Sequence, residues 1–182
     1  DGPVVFASNH QSHMDTAVVL AALPARWRYR VAPAMRKEFF AAHFFPANVG
    51  WRERWASSAL YYLAALCFNG FPLPQREAGA RDTLRYIGEL AAAGQSVLLF
   101  PEGERAETGS IKVFRGGVGM IGSRLGLPVV AVRLDGVDRV LPASSHMARR
   151  GPVRVRFGPP VTLRGDDYAG LARTVEAAVR NL

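Results

Sequence analysis

A histidine and an aspartate five residues apart follow an early apolar run of the sequence. His10 and Asp15 come shortly after residues 4–7, which are all apolar. On a continuous helix five residues rotate by about 500°, so the two side chains would diverge by about 140°. They can meet only if the chain turns between them, as it does where a strand ends at His10 and a helix begins near Asp15. Asp15 would then bind one imidazole nitrogen and leave the other to act as a general base.

The same residues have simpler interpretations, which the spacing alone leaves open. Asp15 can be an N-terminal helix cap, with His10 a polar loop residue. His10 and His13 also form an H-x-x-H pattern. Because no third candidate ligand lies nearby in the sequence, we predict no metal site here.

A second polar segment follows another apolar run. Residues 100–105, with the sequence FPEGER, come straight after the apolar residues 97–99. A strand ending in such a turn places it at the carboxyl edge of the sheet, where ligands of open α/β sheets bind. Arg105 and Arg76, and more weakly Arg115, can clamp a phosphate there, although each can equally be a solvated loop charge. A base and a fixed positive charge together suggest transfer of a group onto a hydroxyl of an anionic acceptor.

A glycine pattern elsewhere offers a different chemistry. Residues 117–122 fit G-x-G-x-x-G, and Asp135 and Asp138 lie at about the distance that a dinucleotide fingerprint requires. The preceding residues 111–114 make a poor strand, and no full βαβ unit comes before them. Close packing of a small-residue helix against the sheet is therefore the favoured interpretation, with a nicotinamide or flavin enzyme as the alternative.

Composition and charge narrow the class of protein. The chain has 182 residues, 49% of them hydrophobic, and a formal net charge of +8. Such a charge attracts anions, but no Lys/Arg block or RNA-binding consensus is present, so we predict lipid or phosphorylated partners and no nucleic acid. The single cysteine, Cys67, excludes an intrachain disulfide. The chain starts at Asp1, directly before a strand, and we expect one domain over residues 1–182, excised from a longer protein.

Apolar runs alternate with amphipathic segments along the chain. This alternation predicts an α/β fold, with a mixed, mainly parallel central sheet flanked by helices. The predicted strands are residues 4–8, 27–32, 71–74, 96–100, 128–134 and 153–157, the last at an edge. The predicted helices are residues 15–23, 54–68, 78–93, 117–125 and 166–181. The apolar stretch 59–68 is far shorter than the roughly 20 residues that a membrane-spanning helix needs.

These motifs resemble those of the glycerolipid acyltransferase family, which includes the 1-acylglycerol-3-phosphate acyltransferases. Four motifs occur in the order that the family has, across residues 4–134, and in that order they are specific. The matching positions are Asn9, His10 and Asp15 for N-H-x-x-x-x-D; Gly70, Phe71 and Arg76 for a glycine and phenylalanine leading to an arginine; Phe100, Pro101, Glu102, Gly103 and Arg105 for F-P-E-G-T-R; and residues 128–132 for a proline within an apolar strand.

The resemblance implies a glycerol-3-phosphate acyltransferase-like fold and transfer of a fatty acyl group to a hydroxyl of a lysophospholipid, foremost 1-acylglycerol-3-phosphate. It implies that His10 is the general base and Asp15 its orienter, with direct attack on the thioester and no acyl-enzyme. The residues that it implies for holding the acceptor are Arg76, Glu102, Gly103 and Arg105. It further implies acyl-CoA or acyl carrier protein as co-substrate, no metal or bound cofactor, and work at a membrane surface on its cytoplasmic face.

Two features leave alternatives open. Glu104 stands where the family usually has threonine, and a carboxylate beside Arg105 would weaken a phosphate clamp. A different lysolipid, an amine-bearing headgroup acceptor or a noncatalytic module that binds anionic lipid therefore remain alternatives. Residues 55–68 and the aromatic residues Phe39, Phe40, Phe44 and Phe45 can form either an interfacial membrane element or a core helix.

Overall fold

The computed structural model describes residues 2–36, 50, 55, 71–73, 79–105, 110–142 and 147–182. Arg76, Cys67 and the aromatic residues of the 39–45 segment lie outside these ranges. Of the predicted apolar helix 54–68, only Trp55 is described, and it is helical and exposed. The strands are β1 Val5–Ser8, β2 Val31–Arg36, β3 Phe71–Leu73, β4 Ser96–Leu99, β5 Val129–Asp135 and β6 Arg154–Val161. The helices are α1 Asp15–Ala22, α2 Ala25–Arg28, α3 Ala80–Ala92, α4 Gly117–Leu125, α5 Val137–Val140 and α6 Tyr168–Arg180.

The six strands form one sheet in the order β3-β2-β4-β1-β5-β6. All neighbouring pairs are parallel except β5 and β6, which are antiparallel. Strand β1 lies between β4 and β5, with Ala7 opposite both Leu99 and Ala131. The predicted α/β fold with a mainly parallel sheet is confirmed, and the chain segments that follow β1, β4 and β5 all leave from the same edge.

Helices cover both faces of the sheet, which explains why its central strands read as continuous apolar runs. Val5 and Ala7 of β1 point into a core shared with α3, α4 and α6, whereas Phe6 points into a core shared with α1 and α5. β1 and β4 are buried throughout. Such fully buried strands hold the loops at their ends in a fixed position.

Two glycines of the G-x-G-x-x-G pattern let α4 pack closely against its neighbours. A Cβ at Gly119 would collide with the carbonyl oxygen of Tyr168 in α6, and one at Gly122 would lie 2.8 Å from Val129 Cγ2 in β5. Gly126 ends the helix with a φ of 62°, which a glycine adopts without strain. Packing therefore accounts for Gly119 and Gly122.

Two predicted strands differ from those observed. Residues 25–28 form a helical turn that begins after Pro24, and β2 starts only at Val31, so the prediction of a strand over 27–32 was wrong in its first half. The alternation of Trp27 and Tyr29 with arginines mimics a strand, but Pro24 favours a helix start. The terminal strand continues past its predicted end through two prolines, which an edge strand tolerates.

Among the helices that the structure describes, none combines the length and the apolar character needed to cross a bilayer.

Candidate active site

Two loops meet at the carboxyl edge of the sheet. One follows β1 and carries His10, and the other follows β4 and carries residues 100–105. Since β1 and β4 are paired neighbours in parallel register, the two loops emerge side by side. The topology thus brings together two segments that lie about 90 residues apart in the sequence.

The side chains of His10 and Asp15 are in direct contact. His10 Nδ1 lies 2.7 Å from Asp15 Oδ2, and the same oxygen accepts the backbone N–H groups of Gln11 at 2.6 Å and Ser12 at 2.8 Å. These two amides precede Asp15, whereas a helix cap would bind amides that follow it. The carboxylate therefore folds the 10–15 loop around itself, and the cap interpretation does not describe it.

This contact leaves one imidazole nitrogen open. Because the Asp15 oxygen already accepts two N–H donors, it acts as an acceptor toward the imidazole, and we therefore assign the proton of the neutral ring to Nδ1. Nε2 then holds a lone pair. Asp15 is fully buried, while the His10 side chain is 23% exposed. The ring also stacks on Phe100, with centroids 4.4 Å apart, so its orientation is fixed from two sides.

Glu102 connects the two loops through backbone contacts. Its Oε1 accepts the N–H of His10 at 2.8 Å, and its Oε2 accepts the N–H of Lys112 at 3.0 Å. Burial raises the pKa of this carboxyl above its ordinary value, although both hydrogen bonds act in the opposite direction. Glu102 was predicted to bind the acceptor, and the structure shows both of its oxygens in contact with the protein's own backbone.

Positively charged residues lie on and against the loop that follows β4. Gly103 has a φ of 76°, and a Cβ there would lie 2.7 Å from Arg115 Cζ, so the guanidinium of Arg115 lies against this glycine. Nη1 of Arg105 is buried and has no hydrogen-bond partner among the described residues. Glu104, expected to weaken a clamp at Arg105, forms an ion pair with Lys112 at 3.0 Å.

Asn9 has a structural role that the motif alone does not reveal. This buried residue donates from Nδ2 to the carbonyl of Leu134 at 3.0 Å and accepts the N–H of Leu134 on Oδ1 at 2.8 Å. The amide side chain thereby extends the pairing of β1 with β5 beyond the end of β1. Ser12 makes a second hydrogen bond between this loop and the segment after β5, because its hydroxyl donates to the carbonyl of Leu141 at 2.7 Å. A polar residue directly after a buried strand is the only sequence signal for such hydrogen bonds.

The structure therefore brings His10, Asp15 and Glu102 into contact and places Gly103 and Arg105 on the same loop as Glu102, while Arg76 lies outside the described residues. Within the described ranges, no group of three or more His, Cys, Asp or Glu side chains is placed to hold a metal ion.

Comparison with known proteins adds independent findings. A family model described as Acyltransferase matches residues 1–135. Over 163 residues the chain is 28% identical to the 1-acyl-sn-glycerol-3-phosphate acyltransferase BAT2, chloroplastic, of Brassica napus. This alignment covers 88% of this chain and 41% of the relative. The chain is 26% identical over 182 residues to the human 1-acyl-sn-glycerol-3-phosphate acyltransferase alpha, covering 95% of this chain and 56% of the relative.

A solved structure shows the same fold. The crystal structure of the 1-acyl-sn-glycerophosphate (LPA) acyltransferase PlsC from Thermotoga maritima superposes with a TM-score of 0.70 and 22% sequence identity, over 100% of this chain and 65% of that one. The chain spans about half the length of the curated relatives that it matches.

Proposed function

This chain belongs to the Acyltransferase family, as its motifs predicted, and on that premise we propose that it transfers a fatty acyl group from an acyl thioester to a hydroxyl of a lysophospholipid. The preferred acceptor in this proposal is 1-acylglycerol-3-phosphate, the substrate in the names of its relatives. The observation that carries the proposal is the buried Asp15 that holds His10 at the edge of the sheet with Nε2 open.

The proposed reaction uses His10 as a general base. Nε2 removes the proton of the acceptor hydroxyl while the oxygen attacks the thioester carbonyl. Asp15 keeps the proton on Nδ1 and stabilises the imidazolium that forms. As the carbon–oxygen bond is completed, the carbon–sulfur bond breaks, and the imidazolium returns its proton to the leaving thiolate. No acyl-enzyme is needed.

The loop after β4 supplies the proposed site for the acceptor phosphate. The buried Nη1 of Arg105 is without a partner in the described part of the chain, and the guanidinium of Arg115 lies against Gly103 of the same loop. Glu104, which departs from the family motif, forms an ion pair with Lys112, so its charge is balanced by a cation other than Arg105. This pairing supports a phosphate-bearing acceptor. Arg76 stays in the proposal as a further phosphate ligand.

We propose acyl-CoA or acyl carrier protein as the donor and a membrane surface, on its cytoplasmic face, as the place of reaction. A lysophospholipid is an amphiphile that resides at such a surface. The net charge of +8 attracts the protein to anionic lipids there.

The direct test measures release of free thiol from acyl-CoA and from acyl carrier protein across a panel of lysolipids. We expect turnover with 1-acylglycerol-3-phosphate, and a loss of about 10²–10⁴-fold in kcat for His10→Ala. The matched control is His13→Ala, an exposed histidine of the same loop, which should retain activity.

Two outcomes would defeat the proposal. Full activity of His10→Ala would remove the assigned base. Binding of anionic vesicles by the wild type without thiol release from any donor would instead support the noncatalytic lipid-binding module. An acceptor without phosphate that is preferred over all phosphorylated ones would correct the acceptor.

A further inference from the structure

A candidate site lies at the edge of the sheet from which the His10 loop leaves, on the β5–β6 side of β1. It is a cavity of about 390 Å³ between the end of β5 and the start of β6. Ligand pockets in proteins have volumes of about 300–1,000 Å³, so the cavity can hold part of a small ligand. Its charged lining consists of Arg139, Arg154, Arg156 and Asp135.

The cavity has a surplus of positive charge. Asp135 is held between Arg133, 3.1 Å away, and Arg156. Burial acts to raise the pKa of Asp135, but the hydrogen bonds from the two arginines outweigh it, and the pKa lies below its ordinary value. Asp135 is thus a permanent anion at neutral pH, and it balances only one of these cations.

The guanidinium groups that line the cavity carry donors that no described residue occupies. Arg139 and Arg154 are exposed and form no hydrogen bond or ion pair with the other residues for which coordinates are described. Arg156 donates from Nη2 to Asp135, while its Nε is buried with no partner in the described part of the chain. Planar guanidinium groups with unused donors are suited to phosphate, which they bind with paired hydrogen bonds.

Hydrogen bonds connect the segments that border the cavity to the His10 loop. Asp135 directly follows Leu134, which carries both hydrogen bonds from Asn9, the residue before His10. Helix α5, which contains Arg139, ends next to Leu141, whose carbonyl accepts the hydroxyl of Ser12. In the order β4-β1-β5-β6, His10 therefore stands between a cationic group on the β4 side and this cavity on the β5–β6 side.

We propose that the cavity lined by Arg139, Arg154 and Arg156 binds the phosphate groups of the donor's nucleotide, so that acyl-CoA approaches His10 from the β5–β6 side and the acceptor from the β4 side. The inference rests on the proposed function. The nucleotide of coenzyme A carries a diphosphate and a phosphomonoester, so it matches several arginines, whereas a lysophospholipid offers one phosphate.

The test compares Arg139→Gln/Arg154→Gln with Arg81→Gln/Arg164→Gln, a control that removes the same charge from exposed positions elsewhere. In calorimetric titrations, the affinity for coenzyme A and for adenosine 3′,5′-bisphosphate should fall about tenfold or more in the first variant and not in the control. Each lost phosphate contact is a charge-assisted hydrogen bond. In turnover assays, the KM for acyl-CoA should rise by a similar factor. The KM for acyl-pantetheine, which lacks the nucleotide, should stay within about twofold of the wild type, and so should the KM for the lysolipid.

Three results would overturn the inference. Equal weakening in both variants would show general charge attraction, and a rise confined to the lysolipid KM would assign the cavity to a lipid phosphate. Turnover with acyl carrier protein but no affinity for coenzyme A would exclude the nucleotide while leaving the proposed function intact. Conversely, tight nucleotide binding that depends on Arg139 and Arg154 but without any thiol release would uphold the nucleotide site and defeat the acyltransferase reaction.

Discussion

Replacing Asp15 with asparagine separates the positioning of His10 from the folding of its loop. The amide oxygen of the new side chain can still accept the backbone N–H groups of Gln11 and Ser12, which lie 2.6 and 2.8 Å from Oδ2 in the wild type. Only the partner of His10 changes from an anion to a neutral group. The imidazolium that forms during the reaction then loses its stabilising charge, while the amide oxygen still accepts from Nδ1.

The mutation should reduce kcat far more than it reduces the free energy of unfolding. Loss of a correctly oriented general base costs about 10²–10⁴ in kcat, or about 3–5 kcal/mol at about 1.36 kcal/mol per factor of ten. Charge-assisted hydrogen bonds are about twice as strong as neutral ones, but the mutation also removes a buried charge, so we expect a loss of about 1–2 kcal/mol in unfolding free energy. That loss lowers the Tm by about 2–8 °C in a protein of this size.

The assay is thiol release at saturating acyl-CoA and lysolipid, with thermal unfolding of the same samples. Asp82→Asn, which makes the same change at an exposed position in the first turn of α3, is the control; it should leave kcat unaltered and lower the Tm by no more than about 2 °C. If Asp15→Asn folds and keeps kcat within about tenfold of the wild type, the Asp15–His10 contact does not serve catalysis. If it fails to fold, the carboxylate is needed for the loop itself, and orientation of His10 is not a separate role of Asp15.

Three further predictions concern stability. Asn9→Ala should lower the unfolding free energy by about 2–4 kcal/mol in denaturant titrations, because both backbone groups of Leu134 lose their partner; a loss below about 0.5 kcal/mol would contradict this role. Gly119→Ala should destabilise by about 1–3 kcal/mol through collision with the terminal helix, whereas Gly117→Ala, which meets nothing within 4 Å, should be neutral or stabilising; equal Tm values for the two variants would refute the packing explanation. Because burial raises the pKa of Glu102 on folding, the stability of the wild type relative to Glu102→Gln should be highest below the ordinary glutamate pKa. This advantage should be lost as the pH rises through the pKa of the folded state. Chemical denaturation between about pH 4 and 7 measures it, and a relative stability that increases with pH would contradict the prediction.

The sheet could be predicted because its strands are local apolar runs. Continuous burial of residues such as 96–99 marks a strand covered on both faces, and the run alone reveals it. The turn at residues 25–28 escaped prediction, because a single helical turn followed by a strand carries no periodicity of its own. Trp27 packs against the core on one side of the sheet, so tertiary contact decided its conformation.

The His10–Asp15 pair was predictable for the same reason, since five residues and a turn define it. Contacts across the sheet were not. The hydrogen bond from the His10 amide to Glu102 spans 92 residues, and those between Asn9 and Leu134 span 125. Likewise, the arginine cavity exists because β6 pairs antiparallel with β5 and brings Arg154 opposite Asp135. Strand order and register determine such neighbours, and neither can be read from a local pattern.

In the proposed reaction, Nε2 of His10 receives the proton of the acceptor hydroxyl. A crystal structure with an unreactive thioether analogue of the donor and an intact lysophospholipid tests it directly. We predict that the acceptor hydroxyl lies about 2.6–3.2 Å from Nε2, while Nδ1 remains on Asp15. A hydroxyl bound to a different basic group, with Nε2 turned away from both substrates, would show that His10 is not the base.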